Sequence, residues 1–403
     1  MSASVHGVVD HLFRHSAGQM VATLTRIFGP EHLSLAEEVV QDSLVTAMQQ
    51  WSLHGVPDNP GGWLFHVARN KALDHLRRET TLRKKEAEIA VALQSVERED
   101  DQLEMMLMCC HPSIPEESHI ALTLKTVGGF SIEEIASAFL SKSETIAQRI
   151  VRAKRLIRDQ NIRMEMPTRA ELPQRLESLH KVLYLMFNEG YRTLRTDLCI
   201  ETIRLMRMVV ANAQTSSPSA HALLSLMLLQ AARLPARVDG AGDLTTLDEQ
   251  DRSLWDRRMI VDGIRHLDAS ATGDLVTPYH VEAAIAACHC AAPTFEETDW
   301  ERVIELYDEL LTIKPTPVVA LNRAIALAMA RGPQAGIDAA DQIAAHASLQ
   351  DYLPLPTTLG ELWRRNGDCA KAAEHFSRAL ELPSTSLEKR FLLRKLQALG
   401  LRP

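Results

Sequence analysis

Apolar residues recur every three or four positions along most of this chain, a period that admits helices and little else. The stretch SIEEIASAFLSKSETIAQRIVRAKRLIR, residues 131–158, shows it best. Ile132, Ile135, Ala136 and Phe139 share one face of a first helix, and Ile146, Ile150, Ala153 and Ile157 share one face of a second. Ser-Lys-Ser makes a tight corner between them, with Ser143 placed as N-cap. Opposite the second apolar stripe lie Thr145, Gln148, Arg152 and Arg155, flanked by Arg149 and Arg158. In a helix-turn-helix, the early residues of the second helix reach base edges and the later cations hold phosphates. A helical hairpin with a solvated basic face satisfies the same pattern.

Charge narrows what such a corner can do. The chain has 403 residues, room for two to four domains with their own cores, and a net charge of −8. Residues 1–165, which contain the corner, hold 18 Lys and Arg against 22 Asp and Glu. Proteins that hold duplex DNA unaided draw most of their affinity from phosphate neutralisation. DNA binding by this chain is therefore expected to be weak alone, or delivered by a larger partner. Aromatic residues are only 5% of the total, which fits an all-α chain. No apolar run is long enough for a membrane span. MSASVHGVVDHLFRHSAG lacks the charged head and apolar core of a secretory signal. Six cysteines are scattered, two of them adjacent (Cys109 and Cys110), unlike a disulfide framework. These features predict a reduced, cytoplasmic protein.

Composition shifts divide the chain into 1–79, a charged linker at 80–101, a helical block at 102–165, a helical extension at 174–270 and a repeat-like segment at 271–403. Within the first block, Ser34 and Glu37 form a capping-box pattern. Ala36, Val40, Leu44, Ala47 and Trp51 then make a buried stripe, leaving Glu38, Gln41, Asp42, Val45 and Gln49 outward. After the breaker GVPDNPGG, a helix with Leu64, Ala68, Ala72 and Leu76 inward shows His66, Arg69, Asn70, Asp74 and Arg77 outward. RMEMPTRAELP (163–173) marks a second boundary, and RVDGAGDLTT (237–246) interrupts the helices that follow.

The order of these pieces resembles the extracytoplasmic-function sigma factors, two-domain initiation factors of bacterial RNA polymerase. AEEVVQDSLVTAMQQW is similar to the family's polymerase-clamp helix, GGWLFHVARNKALDHLRRE to its −10 recognition helix, and GFSIEEIASAFLSKSETIAQRIVRAKRLIR to its −35 helix-turn-helix. The resemblance implies core RNA polymerase and promoter DNA as partners, which accounts for sigma domains that are not basic overall. It implies polymerase binding by Glu38, Gln41, Asp42 and Gln49. It places His66, Arg69, Asn70, Asp74 and Arg77 at the −10 element, where an amide and nearby cations suit an unstacked base and its phosphate. It places Lys142, Thr145, Gln148, Arg149, Arg152 and Arg155 at the −35 element. Ala147 stands where many relatives carry Lys or Arg, which removes one phosphate contact. Trp63 and Phe65 are read as packing residues, because the family it resembles packs an aromatic here, and the absence of the denser aromatic cluster of primary sigma factors implies a narrow promoter range.

The C-terminal half continues past the minimal sigma factor. LGELWRRNGDCAKAAEHFSRALELP (359–383) resembles a tetratricopeptide repeat, with Phe376 at the large packing position. Tyr307 and Ala340 stand in the same role in earlier units, at intervals near the repeat's usual length. A generic helical bundle is the plainer alternative. LHKVLYLMFNEGYRT (179–193) and LDEQDRSLWDRRMI (247–260) resemble a sigma-factor subgroup with a long C-terminal extension. In these segments Glu189, Tyr191, Asp251, Arg252 and Trp255 are expected to form a polar network.

The runs CCH (109–111) and CHC (288–290) read as buried structural cysteines, because three adjacent residues cannot converge on one tetrahedral ion. No metal, cofactor or enzymatic activity is expected, since no phosphate loop, dinucleotide fingerprint or HExxH pattern occurs. The expectation is an alternative sigma factor whose C-terminal helices regulate it, through contact with the sigma domains or through a protein or peptide partner. Two alternatives stay open: a stand-alone helix-turn-helix regulator with the repeats as sensor, and a scaffold protein with a vestigial helix-turn-helix.

Overall fold

A computed structural model describes residues 5–78, 100–139 and 141–400, with side chains from residue 17 onward and, before the first gap, up to residue 75. Most of the expected linker, 80–101, and the side chains of Leu76 and Arg77 therefore lie outside the described residues. The described residues are helical throughout, apart from turns and one isolated bridge between Val238 and Leu244. No helix among them is long and apolar enough to cross a membrane. The chain divides into two compact units, residues 1–216 and 217–403.

The first unit opens with α1 (Val5–Phe28), a 3-10 turn at Pro30–His32, α2 (Leu33–His54) and α3 (Pro60–Arg78). Leu24, Leu33, Leu64 and Trp51 are fully or almost fully buried where these helices meet. Burying each such side chain contributes about 1.5–3 kcal/mol. The expected capping box at Ser34 and Glu37 does not form. The 3-10 turn runs straight into α2, so His32 takes the N-cap position without a side-chain cap, and Glu37 turns inward instead.

Four helices follow: α4 (Asp101–Cys109), α5 (Glu116–Thr126), α6 (Ile132–Ala138) and α7 (Ser143–Asp159). A complete capping box does occur here. The Ser131 hydroxyl accepts from the Glu134 backbone N–H at 3.1 Å, and the Ser131 N–H donates to the Glu134 carboxylate at 2.9 Å. The expected Ser143 cap is displaced by one residue to Lys142, which makes no side-chain cap bond. Helices α8 (Leu172–Arg192) and α9 (Thr196–Ala211) complete this unit, packing α8 on α4 and α5.

The second unit stacks α10 (Pro218–Ala231), α11 (Arg257–Ser270), α12 (Pro278–Ala291), α13 (Trp300–Ile313), α14 (Pro317–Arg331), α15 (Pro333–Ala344), α16 (Pro354–Arg365), α17 (Cys369–Glu381) and α18 (Ser386–Ala398). Consecutive helices pack as neighbours from α12 to α18. Phe376 is completely buried, and its ring lies 2.7 Å from where a Cβ on Gly360 would stand. Glycine at that position is what lets α16 and α17 approach. Ala340 on α15 is fully buried and Tyr307 on α13 partly so.

Candidate functional site

Helix α7 buries Ile146, Ile150, Ala153 and Ile157, so its other face is fixed outward. Lys142, Gln148, Arg152 and Arg155 are exposed along it, and Thr145 and Arg149 are partly covered at its flanks. Arg155 and Arg158 each reach the carboxylate of Asp159 at 3.1 Å, and these bonds hold that carboxyl below its usual range. Such exposed pairs are weak and screened, so both guanidinium groups are available to a phosphate.

On α3, His66, Asn70 and Asp74 are exposed, with the Asn70 amide 3.3 Å from the His66 ring. Arg69 is partly covered, and its Nε is buried without a hydrogen-bond partner. Trp63 packs edge-on against Trp51, with ring centroids 5.3 Å apart. On α2, Glu38, Gln41, Asp42 and Gln49 are exposed, and Lys71 stands 3.9 Å from Asp42. Among them lie Val45, 53% exposed, and Met48, 38% exposed. An apolar pair surrounded by polar side chains is the make-up of a protein contact surface. The helical period already set Val45 outward, and the same period could have found Met48.

What periodicity did not reveal is how closely these surfaces are drawn together. Oε2 of Glu37 on α2 accepts from Lys154 on α7 at 2.5 Å, with both side chains largely buried. Asp101, expected in the linker, is the first residue of α4 and completely buried. It accepts from Arg26 at 2.7 Å and from the Thr23 hydroxyl at 3.1 Å, both on α1. A Cβ on Gly18 of α1 would stand 2.0 Å from the carbonyl oxygen of Val127, just past α5. The block 5–78 and the block 100–159 thus form one closed body.

Helices α8 and α9 brace the second of these blocks through arginines. Arg175 donates to the Leu107 carbonyl at 2.8 Å, and burial lowers its pKa. Arg204 donates to Gln102 at 3.0 Å and pairs with the buried Glu201 at 2.7 Å. Arg195 pairs with the capping carboxylate of Glu134 at 3.2 Å and lies over the Phe130 ring. The expected polar network resolves into two local sets. In the first unit, Glu189 pairs with Arg192 and Tyr191 stacks on Phe187. In the second, Asp251 caps Ser253, while Arg252 covers Trp255 and donates to the carbonyls of His289 and Ala292.

The cysteines of CCH are packed in the core. Burial pushes the Cys109 thiol up to about 12 and raises that of Cys110. Among the described residues no group of three or more His, Cys, Asp or Glu side chains is placed to hold a metal ion.

Comparison with known families fits this architecture. Residues 12–81 match sigma-70 region 2, residues 104–157 match sigma-70 region 4, and residues 175–271 match a family of unknown function, DUF6596. The protein is a sigma factor of the sigma-70 family, which directs transcription initiation through RNA polymerase and promoter DNA. It also belongs with a protein of Rhizobium meliloti (strain 1021) described as "Uncharacterized protein R00370". The two are 33% identical over 415 residues, covering 98% of this chain and 97% of the relative. No solved structure matches the chain.

Proposed function

We propose that this chain is an alternative sigma factor of the extracytoplasmic-function type, held closed at rest and braced by its C-terminal helices. The observation that carries the resting state is the Glu37–Lys154 pair, which ties the helix assigned to polymerase to the helix assigned to the −35 element. The −10 and −35 elements are about 25 base steps apart, or about 85 Å along the duplex. A module of roughly 60 residues has a radius of gyration of only about 10 Å. Two such modules in contact cannot engage both elements, so promoter binding requires them to separate. The chain between Arg78 and Asp100 reaches at most about 75 Å when extended, which permits that separation.

In the open form, Glu38, Gln41, Asp42 and Gln49, with Val45 and Met48 between them, meet the polymerase. His66, Arg69, Asn70, Asp74 and Arg77 meet the −10 element. Lys142, Thr145, Gln148, Arg149, Arg152 and Arg155 meet the −35 element. The brace from α8 and α9 is the part of the C-terminal region that supports regulation by intramolecular contact, and the stacked helices of the second unit are tetratricopeptide-like.

Run-off transcription with purified core polymerase tests both parts. The expected result is promoter-specific transcript that falls in Arg152→Ala and Asn70→Ala. Gly18→Val, which touches no proposed DNA or polymerase contact, is expected to push the modules apart and raise polymerase affinity. Absence of stimulation on every promoter, including the chain's own upstream region, would overturn the sigma reading. Unchanged polymerase affinity in a folded Gly18→Val protein would overturn the closed resting state alone.

A further inference from the structure

The second unit contains a cavity of about 260 Å³ that the sigma reading does not use. Its lining is largely apolar and includes five aromatic rings, Phe295, Trp300, Tyr307, Phe376 and Phe391. Ala326 and Met329 of α14 add to the apolar lining, Asn322, Thr357 and Thr358 add uncharged polar groups, and Thr246, Leu247 and Asp248 close one side. Those three residues belong to the Gly/Asp-rich interruption and its continuation, residues 237–249, which here act as a strap.

The strap is built to stay in place. The Asp239 carboxylate accepts from the N–H groups of Ala241 and Asp243 at 2.9 Å, closing a tight turn. Arg390 on α18 pairs with Asp243 at 2.9 Å and donates to the Gly242 carbonyl. Arg394 donates to the Leu244 carbonyl at 2.6 Å, and Lys395 pairs with Glu249 at 2.8 Å. Arg365 on α16 pairs with Asp248 at 2.6 Å.

These pairs decide what the cavity can accept. Arg365 is engaged by Asp248 and by Glu361 at 3.2 Å, and Glu361 is engaged again by Arg364 at 2.6 Å. Asp248, Glu361 and Arg365, the charges that line the cavity, are therefore all paired, with Arg364 beyond the lining balancing the second carboxylate, and an ionic ligand would lose its hydration with no free counter-charge to replace it. His289 supplies polarity without charge. Burial, with Arg233 and Arg252 nearby, lowers its pKa to about 3, and its Nδ1 is buried without a hydrogen-bond partner. Its ring lies edge-on to Trp300 at 5.3 Å. An apolar cavity of about 150 Å³ suffices for benzene, so this one has room for one or two rings. At about 260 Å³ the cavity is smaller than most small-molecule pockets, and too small to enclose several residues of an extended peptide.

We propose that this cavity, under the 237–249 strap, binds a neutral one- or two-ring aromatic molecule carrying a hydrogen-bonding group. The test is calorimetric titration of the full-length protein with 2-naphthol and indole, and with 2-naphthoate as the charged counterpart. The expected result is saturable one-to-one binding of at least one neutral probe, with 2-naphthoate at least about tenfold weaker because its charge is not compensated. Ala326→Trp fills the cavity and is expected to abolish binding. Leu247→Ala opens the strap side without altering the helical core and is expected to weaken binding several-fold, with circular dichroism confirming that each variant is folded. Failure of both neutral probes to saturate overturns the proposal. So does equal binding of 2-naphthoate, or undiminished binding by folded Leu247→Ala. Saturable binding of short apolar peptides in place of the aromatics gives the groove to peptides and overturns it as well.

Discussion

The two units are held together by different means. In the second, apolar clusters follow one another from helix to helix, with Val303 and Leu306 in one, Leu321 and Leu359 in the next and Phe376 and Leu396 in a third. Its ion pairs lie outside these clusters, and those of Arg365, Arg390, Arg394 and Lys395 tether the strap. In the first unit, residues 5–78 meet residues 100–159 across buried charges, Asp101 with Arg26 and Glu37 with Lys154. An apolar stack loses stability smoothly as contacts are removed. A buried ion pair contributes little net stability while intact, yet breaking it by removing one partner is costly. The first arrangement suits a scaffold, and the second suits a body that opens when a competing surface replaces the pair.

The sharpest way to break this comparison is to remove one member from each side. Asp101→Ala strands Arg26 in a mostly buried position and is expected to cost about 3–5 kcal/mol in the first unit. Phe376→Ala should cost about as much, 3–5 kcal/mol, in the second. Denaturant unfolding, with hydrogen exchange to separate the units, reads both. If Asp101→Ala left the first unit unchanged, the charge contact would not be what holds it. Gly360→Ala is the milder companion. Its Cβ would stand 2.7 Å from the Phe376 ring, and overpacking of this kind costs about 1–3 kcal/mol. A neutral outcome would mean that α16 and α17 part freely.

Helix faces were legible in the sequence because period and burial are the same fact seen twice. Ile146, Ile150, Ala153 and Ile157 follow the 3.6-residue repeat and are buried, so the exposure of Gln148 and Arg152 followed with them. The strap and the closed body were not legible. Glu37 and Lys154 are 117 positions apart, and no local pattern in the sequence pairs them. Local pattern even pointed the wrong way, assigning Glu37 to a helix cap and Asp101 to a solvated linker. A charged residue is placed inside a protein by a partner that only the tertiary fold supplies.

That partnership can be measured directly. A double-mutant cycle with Glu37→Gln and Lys154→Gln is expected to give a coupling within about 0.5–3 kcal/mol, as for other residues in direct contact. Coupling near 1.4 kcal/mol would change the closed-to-open ratio about tenfold. Both single variants should then bind core polymerase faster than the unaltered protein. A coupling of zero would reduce the pair to a neighbour contact and leave Gly18 and Asp101 as the closing elements.

Acid tests the strap and helix α12 separately. Burial tends to raise the Glu249 carboxyl, but bonds from Lys395 and Thr246 outweigh it and hold the pKa at about 2. A carboxyl lowered on folding contributes stability above its unfolded value near 4.5, and that contribution disappears as pH falls toward 2. His289 runs over a different window. Its pKa falls on folding from 6.5 to about 3, so the folded state favours the neutral ring and loses that advantage progressively below 6.5. Amide exchange in α12 should therefore speed up between pH 6.5 and pH 5, before exchange at the strap does so below pH 4.5. In His289→Gln the early phase should shrink to what His280, also lowered by burial on α12, contributes, while the strap phase remains. A single transition at one pH in both proteins would mean that strap and helices open together, and the second unit would then be as all-or-none as the first.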